Sequence, residues 1–227
     1  MNIMGIVFLV LCAVIGYLFG CIPVGVLVAK MYAGTDIRKT GSGNTGTTNV
    51  LRTLGWAPSV MTLAGDCLKG VLGALTGKYL GGEAGMVIGG FCAVLGHDFP
   101  VFSRFKGGKG IATSLGITIV ICPAVAPWLC VIVLGLLPFI RIMSVCSLIA
   151  TVSYPILYYF LLPQGADMRL YMPFAIVMAA LSAFCHRANI ARLLRGEENK
   201  LDFGKINKIS KKFMNMHREK RAQKKQK

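Results

Sequence analysis

The chain has 227 residues, of which 55% are hydrophobic and only 15% are charged, and its mean hydropathy is +0.63. Soluble domains carry about 25% charged residues, so the composition argues against an ordinary soluble enzyme. It also excludes a disordered chain, a collagen and a small disulfide scaffold. We therefore predict an all-α polytopic membrane protein.

The net charge of +16 is concentrated at the C-terminus, where residues 186–227 hold 14 of the 25 Lys and Arg residues. The positive-inside rule places this end in the cytoplasm, facing lipid headgroups. Nucleic-acid binding is disfavoured because the tail has almost no aromatic side chains for base stacking. The eight cysteines form no C-x-x-C pair and lie mostly in apolar runs, so neither a metal site nor a disulfide framework is indicated.

Apolar stretches that are candidates for membrane spans occur at about 3–29, 55–77, 84–103, 111–140, 142–162 and 170–186. The first has no preceding Lys or Arg, so we interpret it as a retained span and not a signal peptide. The fourth has cations at both flanks that should face the cytoplasm, so we divide it into 111–121 and 125–140 with a turn near Pro123. The prediction is seven transmembrane helices, one of half length, with the N-terminus outside and the C-terminus cytoplasmic.

The cytoplasmic loop at 34–52 is rich in glycine, hydroxyl, amide and cationic residues. Glycine backbone N–H groups form anion-binding concavities, and a guanidinium such as that of Arg52 binds phosphate in bidentate fashion. We predict a phosphate cradle, with a plain flexible loop as the alternative. Residues 41–46 formally read G-x-G-x-x-G, but no βαβ unit surrounds them, which argues against a dinucleotide site.

A second glycine and lysine cluster, at 106–110, precedes the half-length helix, and helix N-termini bind anions. Asp66 and Lys69 lie at i and i+3 within the second span, where charge is costly. They either form a structural pair or line the polar site. His97 ends the third span and is more typical of an interfacial histidine than of a catalytic base.

His186, Asn189 and Arg192 share one helix face where the last span ends, which indicates the wall of a cytoplasm-facing pocket or, alternatively, a snorkelling boundary. The chain contains no His-x-x-x-x-Asp motif, no G-x-S-x-G motif and no metal-ligand cluster. The polar residues therefore suit the stabilisation of phosphate charge without a covalent nucleophile, a metal or a cofactor.

Five segments together resemble the bacterial acyl-phosphate-dependent glycerol-3-phosphate acyltransferase family. They are Gly-Cys-Ile-Pro-Val-Gly at 20–25, the loop at 36–52, Asp-Cys-Leu-Lys-Gly at 66–70, the segment 96–113, and His-Arg-Ala-Asn-Ile-Ala-Arg-Leu-Leu at 186–194. The resemblance runs through nearly the whole chain up to about residue 203. The family usually has Ser at the position of Cys21 and Ala at that of Thr47, and the basic tail here is longer than the family leads us to expect.

The resemblance implies a multi-pass enzyme of the bacterial inner (cell) membrane, surrounded by membrane lipid, whose site faces the cytoplasm. It would transfer a fatty acyl group from acyl phosphate to the sn-1 hydroxyl of glycerol 3-phosphate. The products would be lysophosphatidate and inorganic phosphate, in the first step of phospholipid synthesis. A partner enzyme would supply the acyl phosphate, and no cofactor, metal or nucleic acid would take part. We expect an acyltransferase domain at 1–203 and a basic cytoplasmic tail at 204–227.

The site residues inferred from this resemblance and from the cradles fall into three groups. The catalytic group is Ser42, Lys109, His186 and Asn189. The substrate-binding group is Gly41, Gly43, Asn44, Thr48, Asn49, Arg52, Lys106, Gly107, Gly108 and Gly110. The structural or supporting group is Asp66, Lys69 and His97. The attacking hydroxyl would lose its proton to His186 or to the substrate's own phosphate.

Two other classes remain as alternatives. A transporter for an organic phosphate would also use cations and broken helices, although we find no inverted repeat in the sequence. A scaffold whose basic tail recruits anionic lipid would need that tail for its function. For the enzyme, we expect the tail to be largely dispensable.

Overall fold

The computed structural model describes residues 3–225, and every regular element in that range is helical, which confirms the predicted all-α class. The α-helices in chain order are α1 (Ile3–Gly20), α2 (Val24–Ala33), α3 (Thr47–Leu54), α4 (Trp56–Asp98), α5 (Ile111–Ile121), α6 (Val125–Ile140), α7 (Met143–Leu161), α8 (Met168–Cys185), α9 (Arg187–Leu194) and α10 (Phe203–Lys225). Two short 3-10 helices cover Ile37–Lys39 and Val101–Ser103.

Within residues 3–225, four helical segments are long and apolar enough to cross a membrane: Ile3–Ala33, Trp56–Ser103, Met143–Leu161 and Met168–Cys185. Helices α5 and α6 are apolar but shorter, with 11 and 16 residues. They meet at the break predicted from the prolines and flanking charges, since α5 ends at Ile121 and α6 begins at Val125. At 1.5 Å per residue α5 is about 16 Å long, roughly half of a hydrocarbon core of about 30 Å.

The first apolar stretch is not one continuous helix over 3–29, as the sequence suggested. Helix α1 ends at Gly20 and α2 begins only at Val24. The cause is Pro23, which has no N–H to donate and disfavours helical geometry at the residue before it. The break exposes the carbonyl of Ile22, which accepts a hydrogen bond from Lys69 Nζ at 3.2 Å. The buried ammonium group of Lys69 therefore provides a hydrogen-bond donor for a carbonyl at the break between the two helices.

Glycines bring α1 and the two arms of α4 into backbone contact. Helix α4 is interrupted at residues 81–82, the second of which has a φ of +61°, and its second arm folds back against the first. A Cβ added to Gly77 would overlap the carbonyl of Gly85 in the other arm. One added to Gly16 of α1 would overlap the carbonyl of Gly89. Glycines, which have no side chain, thus allow these helix backbones to approach closely.

A buried charge cluster joins the two arms of α4 to the break before α2. Lys69 Nζ lies 2.9 Å from Asp66 Oδ1, and both side chains are almost fully buried. His97 Nδ1, from the second arm, lies 3.4 Å from the same carboxylate oxygen. Because Lys69 also donates to the Ile22 carbonyl, these three side chains serve the packing of the bundle. This favours the structural alternative for the pair.

The C-terminal residues predicted as a separate tail from 204 form most of α10, which packs against α3. Leu201 and Ile206 are buried in one cluster with Leu51 of α3. Phe213 packs against a second cluster that includes Leu54. The described part of the tail is therefore a docked helix and not a free segment.

We predict that the Asp66–Lys69 pair stabilises the fold only as a pair. Lys69→Met should lower the free energy of unfolding by about 3–5 kcal/mol, because it leaves a buried carboxylate without its cation. The free energy of unfolding should fall clearly less in the double variant Asp66→Leu/Lys69→Met, because neither charge of the pair remains buried. Thermal unfolding of the purified variants in detergent measures both. A double variant less stable than Lys69→Met would contradict this account.

Candidate active site

The first glycine loop joins the 3-10 helix at Ile37–Lys39 to α3. Gly41 and Gly43 have φ values of +58° and +73°, in the left-handed region that glycine tolerates best. A Cβ on Gly41 would also overlap the side-chain oxygen of Asn49. Between the two glycines, Ser42 is exposed on the protein surface. The glycines thus permit a tight loop that presents a hydroxyl to solvent.

The side chain of Asn49 holds the backbone of this loop through four hydrogen bonds. Its side chain is 2% exposed, and its Oδ1 accepts a hydrogen bond from the Ser42 N–H at 2.9 Å. Its Nδ2 donates to the carbonyls of Ile37, Thr40 and Asn44 at 3.2, 3.0 and 2.8 Å. We had expected Asn49 to bind substrate, but its amide is occupied by the loop backbone. Its position in the structure fits a residue that shapes the cradle.

The second glycine loop lies against the end of α4. A Cβ on Gly107 would overlap the carbonyl of His97, and one on Gly108 would overlap its imidazole ring. The Gly108 N–H donates to the His97 carbonyl at 3.0 Å. Gly110, where α5 begins, has a φ of +67°, and a Cβ there would overlap Val94 and crowd the carboxylate of Asp98. Here the glycines are needed for close contact as well as for conformation.

Asn44 connects the two loops. Its Nδ2 donates to the Gly107 carbonyl at 3.3 Å, and its Oδ1 accepts from the Gly46 N–H at 2.9 Å. A cavity of about 550 Å³ lies between the loops. It is lined by Ser42, Gly43, Asn44, Lys106 and Gly107, which the sequence predicted, and by Arg38, Phe102, Ser103 and Arg104, which it did not. We call this space the loop cavity.

The two additional arginines of the loop cavity differ in their charge environment. Arg38 makes a bidentate ion pair with Asp36, and its guanidinium holds the pKa of that carboxyl down to about 2. Arg104 is exposed and has a left-handed backbone with a φ of +52°. Together with the exposed Lys106, it leaves the cavity with a surplus of positive charge. The cavity is therefore suited to an anionic ligand.

A second cluster, which we call the Glu198 cluster, brings together predicted residues from three separate segments. Lys109 Nζ donates to Asn189 Oδ1, and Asn189 Nδ2 donates to Glu198 Oε1 at 3.0 Å. Arg192 Nε donates to the other oxygen of that carboxylate at 2.8 Å. Arg52 Nη2 donates to the neighbouring carbonyl of Asn199 at 2.9 Å. The short segment between α9 and α10 thus ties α3, the second glycine loop and α9 together.

Sequence reasoning gave no role to Glu198, although its carboxylate is the centre of this cluster. The available signal was a pair of acidic residues at 197–198 within an otherwise strongly basic segment. Only the fold distinguishes the two. Glu197 pairs with Arg195 on the surface, whereas the Glu198 side chain is 3% exposed.

The electrostatics of the Glu198 cluster favour the binding of an anion. Burial raises the pKa of Glu198, but hydrogen bonds from Arg192 and Asn189 outweigh this and leave it below its ordinary value. Burial lowers the pKa of Lys109 to about 8, although Glu198 opposes this shift. Burial also lowers the pKa of Arg52, whose buried Nε has no hydrogen-bond partner among the described residues. Three cations thus surround one carboxylate, and at neutral pH positive charge is in excess.

His186 lies at the junction of α8 and α9 and is 2% exposed. Its Nδ1 is 2.8 Å from the carbonyl oxygen of Ser182. A carbonyl only accepts, so Nδ1 carries a hydrogen and Nε2 is the ring nitrogen available to take a proton. Cys185, the preceding residue, donates its thiol to Asp98 Oδ2 at 3.2 Å. This contact links the end of α8 to the end of α4.

The structure therefore divides the predicted site residues between two clusters. Ser42, Gly43, Asn44, Lys106 and Gly107 line the loop cavity, whereas Arg52, Lys109 and Asn189 belong to the Glu198 cluster. Thr48 is half-buried in the first turn of α3, between the loop and Arg52. The predicted supporting residues, Asp66, Lys69 and His97, form the buried charge cluster beside the break before α2.

Comparison with known proteins identifies the family. A family model described as "Glycerol-3-phosphate acyltransferase" matches residues 10–196. A glycerol-3-phosphate acyltransferase from Geotalea daltonii is 46% identical over 81% of this chain and 92% of its own length. The glycerol 3-phosphate form of PlsY (YgiH), an integral membrane acyltransferase, superimposes with a TM-score of 0.76 at 38% identity, covering 86% of this chain and 96% of that one.

A second crystal structure of PlsY, in its lysophosphatidic acid form, also gives a TM-score of 0.76. It is 35% identical and covers 87% of this chain and 97% of that one. These matches confirm the family that the five sequence segments indicated. They end near residue 196 in the family model, so α10 lies beyond the matched region. The chain belongs to the glycerol-3-phosphate acyltransferase family.

Proposed function

We propose that this chain is a membrane acyltransferase that moves a fatty acyl group from acyl phosphate to the sn-1 hydroxyl of glycerol 3-phosphate. The observation that carries the proposal is the grouping of three cations around the carboxylate of Glu198, in addition to the cationic loop cavity. Arg192 bonds that carboxylate, Lys109 bonds Asn189, which in turn bonds it, and Arg52 bonds the neighbouring Asn199 carbonyl. Both proposed substrates bear a phosphate. Relatives crystallised in glycerol 3-phosphate and lysophosphatidic acid forms support the same acceptor and product.

The proposed topology has seven crossings, with an external N-terminus and the active site at the cytoplasmic face of the bacterial inner membrane. One end of the bundle carries Arg52 before α4, Lys109 before α5 and Arg141 after α6. The backbone N–H of Leu201 donates to the Arg141 carbonyl, which ties the C-terminal segment to the same end. Lys78 lies near the turn between the arms of α4, at the opposite end. This distribution of cations supports the orientation through the positive-inside rule.

An apolar groove beside His186 fits the acyl chain of the donor. It encloses about 170 Å³ and is lined mainly by α5, α6, α7 and α8. Its polar wall groups include Thr151 and Ser182, whose hydroxyls bond each other at 2.9 Å and so present little unsatisfied polarity. Ser182 also holds the His186 ring through its carbonyl. The groove therefore starts where the proposed reacting carbonyl would sit.

We assign the phosphate of the acyl donor to Lys109 and Asn189, with His186 nearby. The groove is lined by Ile111, two residues after Lys109, and by Ser182, whose carbonyl bonds the His186 ring. Arg52 is assigned to the phosphate of glycerol 3-phosphate. Ser42 and Lys106 line the loop cavity and supply further donors for a phosphate there. Asn44 and Asn49 shape the loops through bonds to the backbone.

The proposed reaction is a direct transfer. The sn-1 oxygen attacks the acyl carbonyl carbon, the bond from that carbon to the phosphate oxygen breaks, and inorganic phosphate leaves. The hydroxyl proton passes to His186 Nε2 or to an oxygen of a substrate phosphate. Because phosphate is a good leaving group, the site needs mainly to position two anions and stabilise the developing charge.

The donor is tested directly with purified protein in lipid nanodiscs, supplied with glycerol 3-phosphate and either palmitoyl phosphate or palmitoyl-CoA. We expect lysophosphatidate and one equivalent of phosphate from palmitoyl phosphate alone. Turnover with palmitoyl-CoA would show that the proposed donor is wrong. Binding of glycerol 3-phosphate without turnover of either donor would favour the transporter alternative.

Arg52→Ala should raise the KM for glycerol 3-phosphate by about 10-fold or more, the loss typical of a hydrogen bond to a charged group. The KM for palmitoyl phosphate should change far less. Arg195→Ala is the matched control, since Arg195 is exposed and pairs only with the surface residue Glu197 among its described contacts. Steady-state kinetics with each substrate varied in turn measure the difference. An equal rise in both KM values would refute the role of Arg52.

The pH dependence of activity should report Lys109. Its pKa of about 8 means that the ammonium loses its proton as the pH rises through that value, and positive charge at the site is lost with it. We therefore expect kcat/KM to fall above about pH 8, because this parameter follows the free enzyme. In Lys109→Arg, the guanidinium stays charged and the alkaline fall should move above about pH 10. An unchanged alkaline fall in an active Lys109→Arg variant would exclude Lys109 as its source.

A further inference from the structure

Helix α10 has one face docked on the bundle. Ile206 is 2% exposed and packs with Leu51 of α3. The hydroxyl of Ser210 accepts a hydrogen bond from the Trp56 N–H at 3.0 Å, which satisfies the first residue of α4. A Cβ on Gly55 would overlap the Ser210 side chain. The docked face thus presses against the junction between α3 and α4.

Two contacts indicate that α10 lies along the membrane surface. Near its start, Phe203 stacks on Trp56 and Asn207 Oδ1 accepts from the indole N–H at 2.9 Å. Further along, the Phe213 ring lies 5.7 Å from that of Tyr32. Trp56 begins one membrane-spanning segment and Tyr32 lies at the end of another. A helix that touches the ends of two spans on the same side runs along the interface, where Trp and Tyr are enriched.

The opposite face of α10 is basic. The lysines at 205, 208, 211 and 212 are all exposed. At 100° per residue they lie away from Ile206, Ser210 and Phe213, which face the bundle. On a helix that runs along the interface, four exposed cations lie within the range over which an anionic leaflet attracts polybasic segments. The matching partner is the anionic headgroup of a lipid in the same leaflet.

The docked face connects this lipid contact to the site. Leu51, against which α10 packs, is adjacent in sequence to Arg52 on the short helix α3. Helix α3 has only eight residues, and α10 covers its buried side through Leu51 and Leu54. A change in the docking of α10 would therefore act on the short helix that carries Arg52.

We propose that α10 is a membrane-surface positioning element, whose exposed lysines bind anionic lipid headgroups and so hold its docked face against α3. The segment beyond the matched family region is then part of the glycerol 3-phosphate site of this chain. This differs from our sequence-based expectation of a dispensable tail. The kinetic consequence rests on the function proposed above, whereas the lipid-dependent docking does not.

The test uses the full chain with Trp128→Phe, so that Trp56 is the sole tryptophan, in nanodiscs of phosphatidylcholine alone or with 30% phosphatidylglycerol. Acrylamide quenching of Trp56 reports docking, and the KM for glycerol 3-phosphate reports the site. We compare the parent with a variant in which Lys205, Lys208, Lys211 and Lys212 become Gln, and with a matched variant in which they become Arg. The Arg variant keeps the four positive charges and changes only the shape of the charged groups.

We expect anionic lipid to reduce Trp56 quenching in the parent and the Arg variant and to lower their KM by about 3- to 10-fold. The Gln variant should behave in both lipids as the parent does in phosphatidylcholine. Quenching that is independent of lipid, or a Gln variant that still responds, would overturn the proposal. So would activation by soluble polyglutamate but not by phosphatidylglycerol, which would identify an acidic protein surface as the partner. Because quenching needs no turnover, it tests the docking even if the proposed reaction is wrong.

Discussion

The arrangement of the site depends on one electrostatic constraint, which is that several cations must be held close together at the end of an apolar bundle. Like charges repel strongly where water is partly excluded. The carboxylate of Glu198 offsets this repulsion by accepting from Arg192 and Asn189 while Lys109 and Arg52 lie nearby. One carboxylate does not neutralise three cations, so the site remains attractive to phosphate.

The rest of the fold keeps the segments that meet at this cluster in place. Gly107 and Gly108 let the second loop lie directly on His97, and His97 is itself held by the buried Asp66. Asn44 then joins that loop to the first one through the Gly107 carbonyl. The glycines of the bundle and of the loops therefore have related roles. In both places they let one backbone segment lie directly against another part of the protein, where a side chain would keep the two apart. Rigid placement of the donors follows, and this is what a site without a covalent nucleophile requires.

Local signals in the sequence predicted much of this architecture. The prolines and flanking cations located the break between α5 and α6. The break before α2 was missed, because an unbroken apolar run concealed the effect of Pro23. Residue type and spacing also predict phosphate binding by both glycine loops, and this stays a prediction.

Features that depend on long-range contacts were not predictable. Nothing local separates Glu198 from Glu197, and only the fold brings Glu198 to Asn189 and Arg192. Asn49 looked like a substrate ligand because amides bind phosphate, yet its hydrogen bonds run to its own loop. The docking of the basic cytoplasmic tail on α3 was not foreseen, because its docked residues are few and widely spaced among lysines.

The central claim is that this site catalyses by positioning two phosphates, without forming an acyl-enzyme. The most direct test is a rapid-quench measurement of phosphate release from palmitoyl phosphate, with enzyme in stoichiometric amounts. Without glycerol 3-phosphate, the account predicts no burst of phosphate, and with it, phosphate and lysophosphatidate should appear at the same rate. A burst of one phosphate per enzyme in the absence of the acceptor would show a covalent intermediate and contradict the account.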